Sequence, residues 1–349
     1  MMKDVVIEAF LPKKEAYVVA VVGATGAVGE TMLEILAERK FPISELIPLA
    51  SSRSAGSVID FDGKDYIVQD LATFDPSGVD IALFSAGGDT SKEHAPRFAE
   101  AGCYVVDNSS AWRMDENIAL VVPEVNPEAL EMARSNHIIA NPNCSTIQMV
   151  VALKPLHDVV AIERVVVSTY QAVSGAGGKA VDELAKQTGA LLNGETPKVD
   201  VFPARIAFNV IPHIDVFLES GYTKEEQKMI DETRKIMGAN IAVTATAVRV
   251  PVFYGHSESV NVTFTGKMDA NKARELLADA DGICVVDDPK SEDYPLASEA
   301  SGTDFVWVGR IRDDNSCLNS LHLWVVADNV RKGAALNAVQ IAEILIRQS

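Results

Sequence analysis

The sequence has few cysteines, no long apolar run and no excess of positive charge. Its four cysteines, at positions 103, 144, 284 and 317, form neither a CxxC pair nor the Cys/His spacing of a metal site. We therefore expect no disulfide framework and no bound metal, as is typical of a reducing, cytoplasmic compartment. No apolar run reaches the ~18 residues that span a bilayer. Residues 1–15 mix acids and lysines without the apolar core of a signal peptide, which predicts neither secretion nor membrane insertion.

Acidic residues outnumber basic ones by 49 to 31, giving a formal net charge of −18. Nucleic acids and anionic membranes select basic surfaces, so this charge argues against both as partners. An anionic small molecule would have to be held by local arginine or lysine side chains against the overall field. The length of 349 residues and the 48% hydrophobic content predict a globular protein of two domains.

The first half of the chain carries the pattern of a dinucleotide-binding unit. A continuous β-branched run, Tyr17–Val22, leads into the glycine-rich turn 23–29 and then into an apolar helical pattern. Such a turn lets the backbone approach a pyrophosphate at a helix N-terminus, although the spacing here is GxxGxxG rather than GxGxxG. A turn that binds nothing is the alternative. The cofactor-binding residues proposed in this turn are Gly23, Thr25, Gly26, Ala27 and Val28.

The end of the second predicted strand indicates which dinucleotide is bound. A site for NAD would place an acid there for the ribose 2′-hydroxyl. The sequence instead has Ser51, Arg53 and Ser54, which suit a 2′-phosphate and predict NADP. A solvated polar loop is the alternative for the serines.

Further strand–helix units follow and predict a doubly wound, parallel sheet. Ligands collect at the carboxyl ends of such strands. The strand 80–84 leads into a small-residue turn with Ser85 and Gly87, and the strand 103–106 leads into Asn108. We expect these three residues to lie near the cofactor, with 138–140 as the last strand.

The second half carries longer β-rich segments separated by helices, which is typical of an α+β domain with a mixed or antiparallel sheet. Predicted strands are 164–172, 241–252, 257–264, 304–312 and 318–327, and predicted helices are 178–192, 223–237 and 271–280. An amphipathic helix from Asn329 onward is expected to return to the first domain. The predicted fold is therefore α/β: a Rossmann-type domain (1–145, completed by the helix 329–349) and a catalytic and dimerisation domain (146–328).

The segment around Cys144 is the candidate for covalent chemistry. The proline at position 142 disfavours helix for the residue before it, and Asn143 or Ser145 can then cap a helix that follows. Unpaired N–H groups and the helix dipole at that point stabilise an anion and lower the pKa of a thiol. A buried, inert cysteine is the alternative that residue type alone favours.

Three residues of the second half supply possible partners for such a thiolate. Gln171 ends a predicted strand before a glycine loop that contains Ser174 and Gly175, and this loop could contact cofactor or substrate. Arg249 lies in an apolar strand, where burial requires an anion such as a carboxylate. His256 follows a Pro/Gly turn and suits acid/base work near pH 7. Arg113 and Lys228 are cations that could bind phosphate, although residue type alone places them on the surface.

Together, these segments resemble the aspartate-β-semialdehyde dehydrogenase family over nearly the whole chain. The matching motifs are GATGAVG (23–29), SSRSAG (51–56), NSSAWR (108–113), NPNCSTIQ (141–148), YQAVSGAG (170–177), EEQK (225–228), RVPVFYGHSES (249–259), FVWVGRIR (305–312) and DNVRKGAA (328–335). The resemblance implies a homodimer or homotetramer that reduces aspartyl phosphate to aspartate semialdehyde with NADP(H) and releases inorganic phosphate.

The family implies a role for each matched residue. Cys144 is the acyl-forming nucleophile, His256 the acid/base catalyst and Gln171 the residue that orients the acyl intermediate. Arg249 binds the substrate carboxylate. The remaining implied substrate-site residues are Arg113, Asn143, Glu225 and Lys228, with Asn108 in support, and Asn329 approaches NADP. Residues 1–16 receive no role.

Three other functions remain open from the sequence. N-acetyl-γ-glutamyl-phosphate reductase uses the same logic on an acylated amino acid, although NPNCS and GHSES favour the aspartyl enzyme. A glyceraldehyde-phosphate-type dehydrogenase is disfavoured by the missing acid after the second strand. A non-catalytic NADPH-binding sensor would make the cysteine, glutamine, arginine and histidine coincidental.

Overall fold

The computed structural model describes residues 9–238 and 240–347; residues 348 and 349 of the predicted final helix lie outside the described part. The strands are β1 (Tyr17–Val22), β2 (Ile43–Ala50), β3 (Val58–Phe61), β4 (Lys64–Ile67), β5 (Gln69–Asp70), β6 (Ile81–Phe84), β7 (Tyr104–Asp107), β8 (Ala119–Leu120), β9 (Ile138–Ala140), β10 (Ile162–Gln171), β11 (Ala242–Arg249), β12 (His256–Phe264), β13 (Ile283–Val285), β14 (Val306–Asp313) and β15 (Ser320–Ala327).

The α-helices are α1 (Ala27–Glu38), α2 (Gly88–Glu100), α3 (Cys144–His157), α4 (Gly178–Leu192), α5 (Lys224–Met237), α6 (Ala270–Ala278), α7 (Ala297–Ala300) and α8 (Leu336–Ile346). Short 3-10 segments occupy Pro127–Arg134 and Val173–Ala176, and a π-helical turn occupies Arg331–Ala335. The described residues form two compact units. One comprises the chain up to Asn143 together with the chain from Ala334 onward, and the other is Cys144–Gly333.

The first unit is built on a seven-stranded sheet in the order β5-β2-β1-β6-β7-β9-β8, in which every neighbouring pair is parallel. The inner strand β1 is buried along most of its length because a parallel sheet is covered on both faces, which explains its unbroken apolar run. Helices α1 and α8 pack on this sheet through apolar side chains such as Met32, Leu36 and Ile341. The parallel sheet predicted from the alternating units is confirmed.

The second unit contains a six-stranded mixed sheet in the order β11-β10-β12-β15-β14-β13. Strands β10 and β11 are parallel, whereas β12 pairs antiparallel with both β10 and β15. Helix α3 packs on one face of this sheet. Its residues 145–153 are all buried, so α3 is a core helix. The α+β character predicted for the second half is confirmed.

The predicted final helix begins later than expected. Asn329 lies in a loop, and the chain forms a π-helical turn before α8 starts at Leu336. Asp328 explains the difference, because its carboxylate accepts the backbone N–H groups of Val330 and Arg331 and holds this segment in a turn.

Candidate active site

Cys144 is the first residue of α3 and is partly exposed. Asn143 therefore occupies the capping position, whereas Ser145 lies inside the first turn, so the alternative that Ser145 caps the helix is wrong. The first turn of α3 contains no acidic side chain. The helix dipole and the backbone N–H groups at this end favour a negative charge on the cysteine sulfur.

His256, at the start of β12, is fully buried. Its Nδ1 accepts a hydrogen bond from the backbone N–H of Ala172 at 3.1 Å. Nδ1 therefore carries no proton, and the neutral ring holds its proton on Nε2. Within the described chain, Nε2 has no hydrogen-bond partner. Burial, helped by the charge of Arg249, lowers the pKa of His256 well below its ordinary value. The ring is thus a neutral donor through Nε2 at physiological pH.

Arg249 ends β11 and is held by the same peptide segment as His256. Its Nη1 donates to the backbone oxygen of Ala172 at 2.6 Å, and the side chain is only 6% exposed. Burial lowers its pKa, and the negative groups of Glu225 and Cys144 oppose this shift. Gly175 lies directly over this pair, because a Cβ built there would be 3.1 Å from Arg249 Nη1 and 3.2 Å from His256 Nε2. A side chain at position 175 would therefore crowd the guanidinium and the imidazole.

Gln171 connects the start of α3 to α5. Its Nε2 donates to Ser145 Oγ at 2.9 Å and to Glu225 Oε1 at 3.2 Å. Lys228 donates to the other Glu225 oxygen at 3.2 Å and to Asp215 at 2.8 Å. Burial alone would lower the pKa of Lys228, but the neighbouring carboxylates raise it above the ordinary value. Lys228 is therefore a partly buried, firmly charged ammonium next to a carboxylate that orients the Gln171 amide.

Asn329 forms hydrogen bonds to the loop that contains Ser174 and Gly175 and to the turn at Gly255. Its Oδ1 accepts the backbone N–H of Gly255 at 3.0 Å, and its amide group contacts the hydroxyl of Ser174 at 3.0–3.1 Å. The side chain is buried. The structure thus gives Asn329 a part in arranging the second unit, next to the loop that contains Gly175.

In the first unit, the glycine-rich turn has the close packing that its glycines suggested. Gly23 has a φ of +82°, and a Cβ there would lie 2.5 Å from the backbone oxygen of Ser85. A Cβ on Gly29 would lie 2.1 Å from the Gly23 oxygen. Among the described residues, no side chain caps α1, whose capping residue is Gly26, and residues 25–27 are exposed. The N–H groups at the start of α1 can therefore receive a pyrophosphate.

The other predicted cofactor residues lie at the carboxyl side of the same sheet. Ser51 and Arg53 are exposed after β2, Ser54 is half-buried, and no acid occurs in this loop. Ser85 follows β6, Gly87 is the capping residue of α2, and Asn108 follows β7. This chemistry fits an adenine dinucleotide with a 2′-phosphate.

The placement of Arg113 on the surface is wrong. The side chain is 7% exposed; its Nε donates to the backbone oxygen of Asn141 and its Nη2 to that of Asn108, both at 2.9 Å. The Asn108 side chain in turn accepts from the Asn141 amide at 2.7 Å. A guanidinium can satisfy backbone oxygens at the ends of β7 and β9 because it presents five donors.

Several residues at the site were missed from the sequence. Ala172 contributes only backbone groups, so no side-chain pattern could reveal it. Gln148 lies one turn after Cys144, and Glu258 lies two residues after His256 on the same face of β12. Helical and strand periodicity could have identified both as neighbours of the reactive residues. Gly333 lies against Cys144, since a Cβ added there would be 2.9 Å from Cys144 Cβ.

Within the described residues, no group of three or more His, Cys, Asp or Glu side chains is arranged to hold a metal ion. Across the same part of the chain, none of the helices combines the length and apolar character needed to cross a membrane.

Fold and site together define a class of protein: a two-part dehydrogenase with a parallel nucleotide-binding sheet and a separate unit that carries cysteine, histidine and arginine. Residues 18–133 match the family model "Semialdehyde dehydrogenase, NAD binding domain", and residues 153–332 match "Semialdehyde dehydrogenase, dimerisation domain". The chain belongs to the aspartate-semialdehyde dehydrogenase family.

Relatives and solved structures agree with this assignment. The aspartate-semialdehyde dehydrogenase of Aquifex aeolicus is 59% identical over 335 residues, covering 95% of this chain and 98% of the relative. The enzyme of Legionella pneumophila is 58% identical over 332 residues, which cover 95% of this chain and 96% of the relative. The crystal structure of aspartate semialdehyde dehydrogenase II from Vibrio cholerae complexed with ASA has a TM-score of 0.94 and 55% identity. The match covers 96% of this chain and 99% of that chain. The crystal structure of the Candida albicans enzyme with NADP has a TM-score of 0.74 and 26% identity, and the match covers 95% of this chain and 98% of that chain.

Proposed function

We propose that the chain catalyses the reversible, NADPH-dependent reduction of L-aspartyl-4-phosphate to L-aspartate 4-semialdehyde, with release of inorganic phosphate. This step serves the biosynthesis of lysine, threonine, methionine and isoleucine. The observation that carries the proposal is the single peptide segment at Ala172, which holds both His256 and Arg249 within the unit that begins at Cys144.

In this proposal, Cys144 attacks as a thiolate. The sulfur forms a bond to the acyl carbon of the substrate, the carbon–oxygen bond to phosphate breaks, and a thioester remains on Cys144. The bound dinucleotide supplies the hydride that reduces this thioester. The resulting alkoxide collapses to the aldehyde and expels the Cys144 thiolate. A thioester accepts hydride more readily than a carboxylate, which is the reason for the covalent route.

The surrounding residues stabilise charge and orientation. The Nε2–H of His256 donates to the oxygen that becomes negative when the acyl carbon is attacked. A fixed donor stabilises such a charge most strongly in a buried site, where water is excluded. Arg249 binds the substrate carboxylate through its guanidinium. Gln171, held by Ser145 and Glu225, orients the acyl group, and Asn143 contacts the substrate beside the nucleophile.

Phosphate binding is assigned to the two buried or half-buried cations, each within its own unit. Lys228 keeps its charge because its pKa is raised, and Glu225 fixes its position. Arg113 is fixed by backbone oxygens.

We assign NADP rather than NAD to the first unit. The exposed start of α1 receives the pyrophosphate through Gly23, Thr25, Gly26, Ala27 and Val28. The 2′-phosphate is assigned to Ser51, Arg53 and Ser54, with Ser85, Gly87 and Asn108 along the cofactor. In the second unit, Ser174, Gly175 and Asn329 are the residues proposed to contact it. The predicted boundaries 1–145 and 146–328 differ slightly from the compact units, because Cys144 is the first residue of the second unit.

We further propose a homodimer that works in the cytoplasm. All four cysteines are free thiols, in keeping with a reducing compartment. The face of the six-stranded sheet that carries Tyr170 and Trp324 has a groove of about 440 Å³, with Leu296 exposed at its edge. The family model matched by this unit is described as a dimerisation domain, and we assign a second copy of the chain to this face.

A trapping experiment tests the covalent step. Aspartate semialdehyde and NADP⁺ are mixed with enzyme in buffer without phosphate, so the thioester has no acceptor except water. We expect a burst of one NADPH per active site and an aspartyl adduct on Cys144 by mass spectrometry. The variant Cys144→Ala should show neither, whereas Cys317→Ala, which changes an exposed thiol, should behave as the wild type. NADPH formation without an adduct, or an adduct elsewhere, would contradict the mechanism.

The same assay with N-acetyl-glutamate semialdehyde tests the nearest rival. An NADPH-binding sensor would give no burst with either substrate.

A further inference from the structure

Two fully buried polar side chains lie behind the reactive groups and have no part in the mechanism above. Gln148 is on α3, one helical turn after Cys144, and Glu258 is on β12, two residues after His256. Residues four apart on a helix share a face, as do residues two apart on a strand. Each of these side chains therefore projects on the same side as the reactive residue of its own element.

Gln148 joins the two elements. Its Nε2 donates to the backbone oxygen of His256 at 3.3 Å. The helix that begins with the nucleophile is thereby tied to the first residue of β12. The bond acts on the backbone that carries the imidazole, while Ala172 holds the ring itself. The position of His256 is therefore set at two points.

Glu258 lies in a place where a carboxylate is unfavourable. Within the described residues, neither of its oxygens has a hydrogen-bond partner, and the same holds for Gln148 Oε1. Its strand neighbours are the uncharged Thr169 on β10 and Val325 on β15. Burial raises the pKa of Glu258 well above the ordinary value of 4.5. The side chain of Gln148 is near enough to offset part of this shift, although it forms no hydrogen bond of normal geometry to the carboxylate. Burying an unpaired charge is far less favourable than binding a proton.

A single proton on Glu258 would satisfy both the buried carboxyl group and Gln148 Oε1. A neutral carboxylic acid has an O–H donor, and Gln148 Oε1 is an acceptor without a donor among the described residues. We propose that Gln148 and Glu258 are positioning residues for His256: the O–H of Glu258 donates to Gln148 Oε1, and the Gln148 N–H donates to the backbone oxygen of His256. The pair fixes the imidazole and adds no negative charge to a site that must stabilise a thiolate.

The kinetic arm of the test rests on the proposed function. Glu258→Gln keeps the size and a donor, so kcat should stay within about 3-fold of the wild type. Glu258→Leu and Gln148→Leu should each lower kcat by about 10- to 100-fold, because a displaced catalytic group loses rate steeply. KM should change little, since neither side chain reaches substrate. The double variant should be no slower than either single one, because the two residues act as a unit. A Glu258→Gln variant as slow as Glu258→Leu would overturn the proposal.

The protonation arm needs no substrate and stands if the proposed reaction is wrong. At pH 8 the infrared spectrum should contain the C=O stretch of a protonated carboxyl that Glu258→Gln removes. The stability should also depend on pH in a stated direction. Above pH 4.5 the unfolded chain ionises Glu258 while the folded chain keeps the proton, so the wild type loses stability as the pH rises.

The variant Glu258→Gln has no carboxyl group at this position, so its stability does not fall with rising pH for this reason. Its Tm should therefore exceed that of the wild type by an amount that grows between about pH 5 and pH 8 and levels off near pH 4. No carboxyl band at pH 8, or a Tm difference that does not change with pH, would show an ionised Glu258 and overturn the proposal.

Discussion

At the scale of single residues, the site depends on where backbone atoms are placed as much as on side chains. The peptide N–H of Ala172 fixes the tautomer of His256, and the oxygen of the same residue holds Arg249. Two glycines leave room where a methyl group would not fit. Gly175 lies against His256 and Arg249, and Gly333 lies against Cys144.

The small clearance at Gly333 leads to a prediction about Cys144, the proposed nucleophile. In Gly333→Ala, the added Cβ would be 2.9 Å from Cys144 Cβ, closer than real carbon atoms approach, so the cysteine or the turn must move. We expect kcat to fall by about 10²-fold, since a shift of about 1 Å in a reacting group has that effect. The rate of Cys144 alkylation by iodoacetamide should change as well, because the sulfur moves relative to the N-terminus of α3 and its thiolate is stabilised differently.

Gly189→Ala in α4 is the matched control. A Cβ at that position meets no atom within 4 Å, so kcat and alkylation should match the wild type. Equal rates for Gly333→Ala and the wild type would show that the turn adjusts without moving Cys144.

Residue types in the sequence indicated the chemistry of the site but not its contacts. Cys144, Arg249 and His256 could be selected from their residue types and local sequence, whereas the role of Gln171 was implied by the family resemblance. The backbone groups of Ala172 could not be selected, since hydrogen bonds from the main chain leave no trace in residue identity. Arg113 was placed on the surface because arginine is usually exposed. Its burial depends on carbonyl groups from two strands that are distant in the sequence.

At the scale of elements, the start of α5 fixes the position of Glu225 and Lys228, the residues proposed for the phosphate site. Thr223 accepts the N–H of Glu226, and the Glu226 carboxylate accepts the N–H of Thr223, which completes a capping box. Glu226 also accepts the backbone N–H of Ala247 on β11. Glu225 and Lys228 lie in the first turns of this helix, so the cap determines where the carboxylate and ammonium point.

Loss of the cap should affect both stability and phosphate binding. Thr223→Ala leaves a buried N–H of α5 without its acceptor, and we expect a loss of about 1 kcal/mol in the free energy of unfolding. The KM for phosphate in the oxidative direction should rise by several-fold, with kcat affected less, because the helix start frays beneath Glu225 and Lys228. Urea denaturation and initial rates measure the two effects.

The cap of α6 provides the comparison. Asp269 accepts the N–H of Lys272 in the same manner, so Asp269→Ala should lower stability by a similar amount without changing the KM for phosphate. Thr223→Ser should restore both properties. A change in KM for Asp269→Ala would mean that lost stability alone explains the effect.

Periodicity and end signals located most elements, and the errors have local causes. The strand Tyr17–Val22 and the helix Gly178–Leu192 were predicted with the observed bounds. The final helix was predicted from Asn329 because apolar spacing continues back into the turn. The Asp328 carboxylate competes for the backbone N–H groups there and delays the helix. The short hairpin Val58–Ile67 was missed, since four-residue strands with half-exposed faces give little alternation to detect.

At the scale of the whole molecule, the mixed sheet has two faces of different character. Helix α3 covers the face toward which His256 and Glu258 project. The opposite face carries Tyr170 beside Trp324, with ring centroids 5.5 Å apart, and Arg310 and Arg312 border the groove there. A sheet face that presents aromatic rings and a groove is suited to a partner surface, and stable interfaces bury about 800 Å² per partner.

If two copies pair through this face, a charge placed at its centre should separate them. We expect the wild type to have twice the 37.5 kDa mass of one chain by light scattering. Tyr170→Glu and Leu296→Arg each put a charge on an exposed apolar position of this face, and both should shift the mass toward 37.5 kDa at micromolar concentration. Ile67→Lys adds a charge at an even more exposed apolar position on β4 and should leave the dimer intact. Dimers that persist in both variants, or dissociate in Ile67→Lys, would place the interface on another surface.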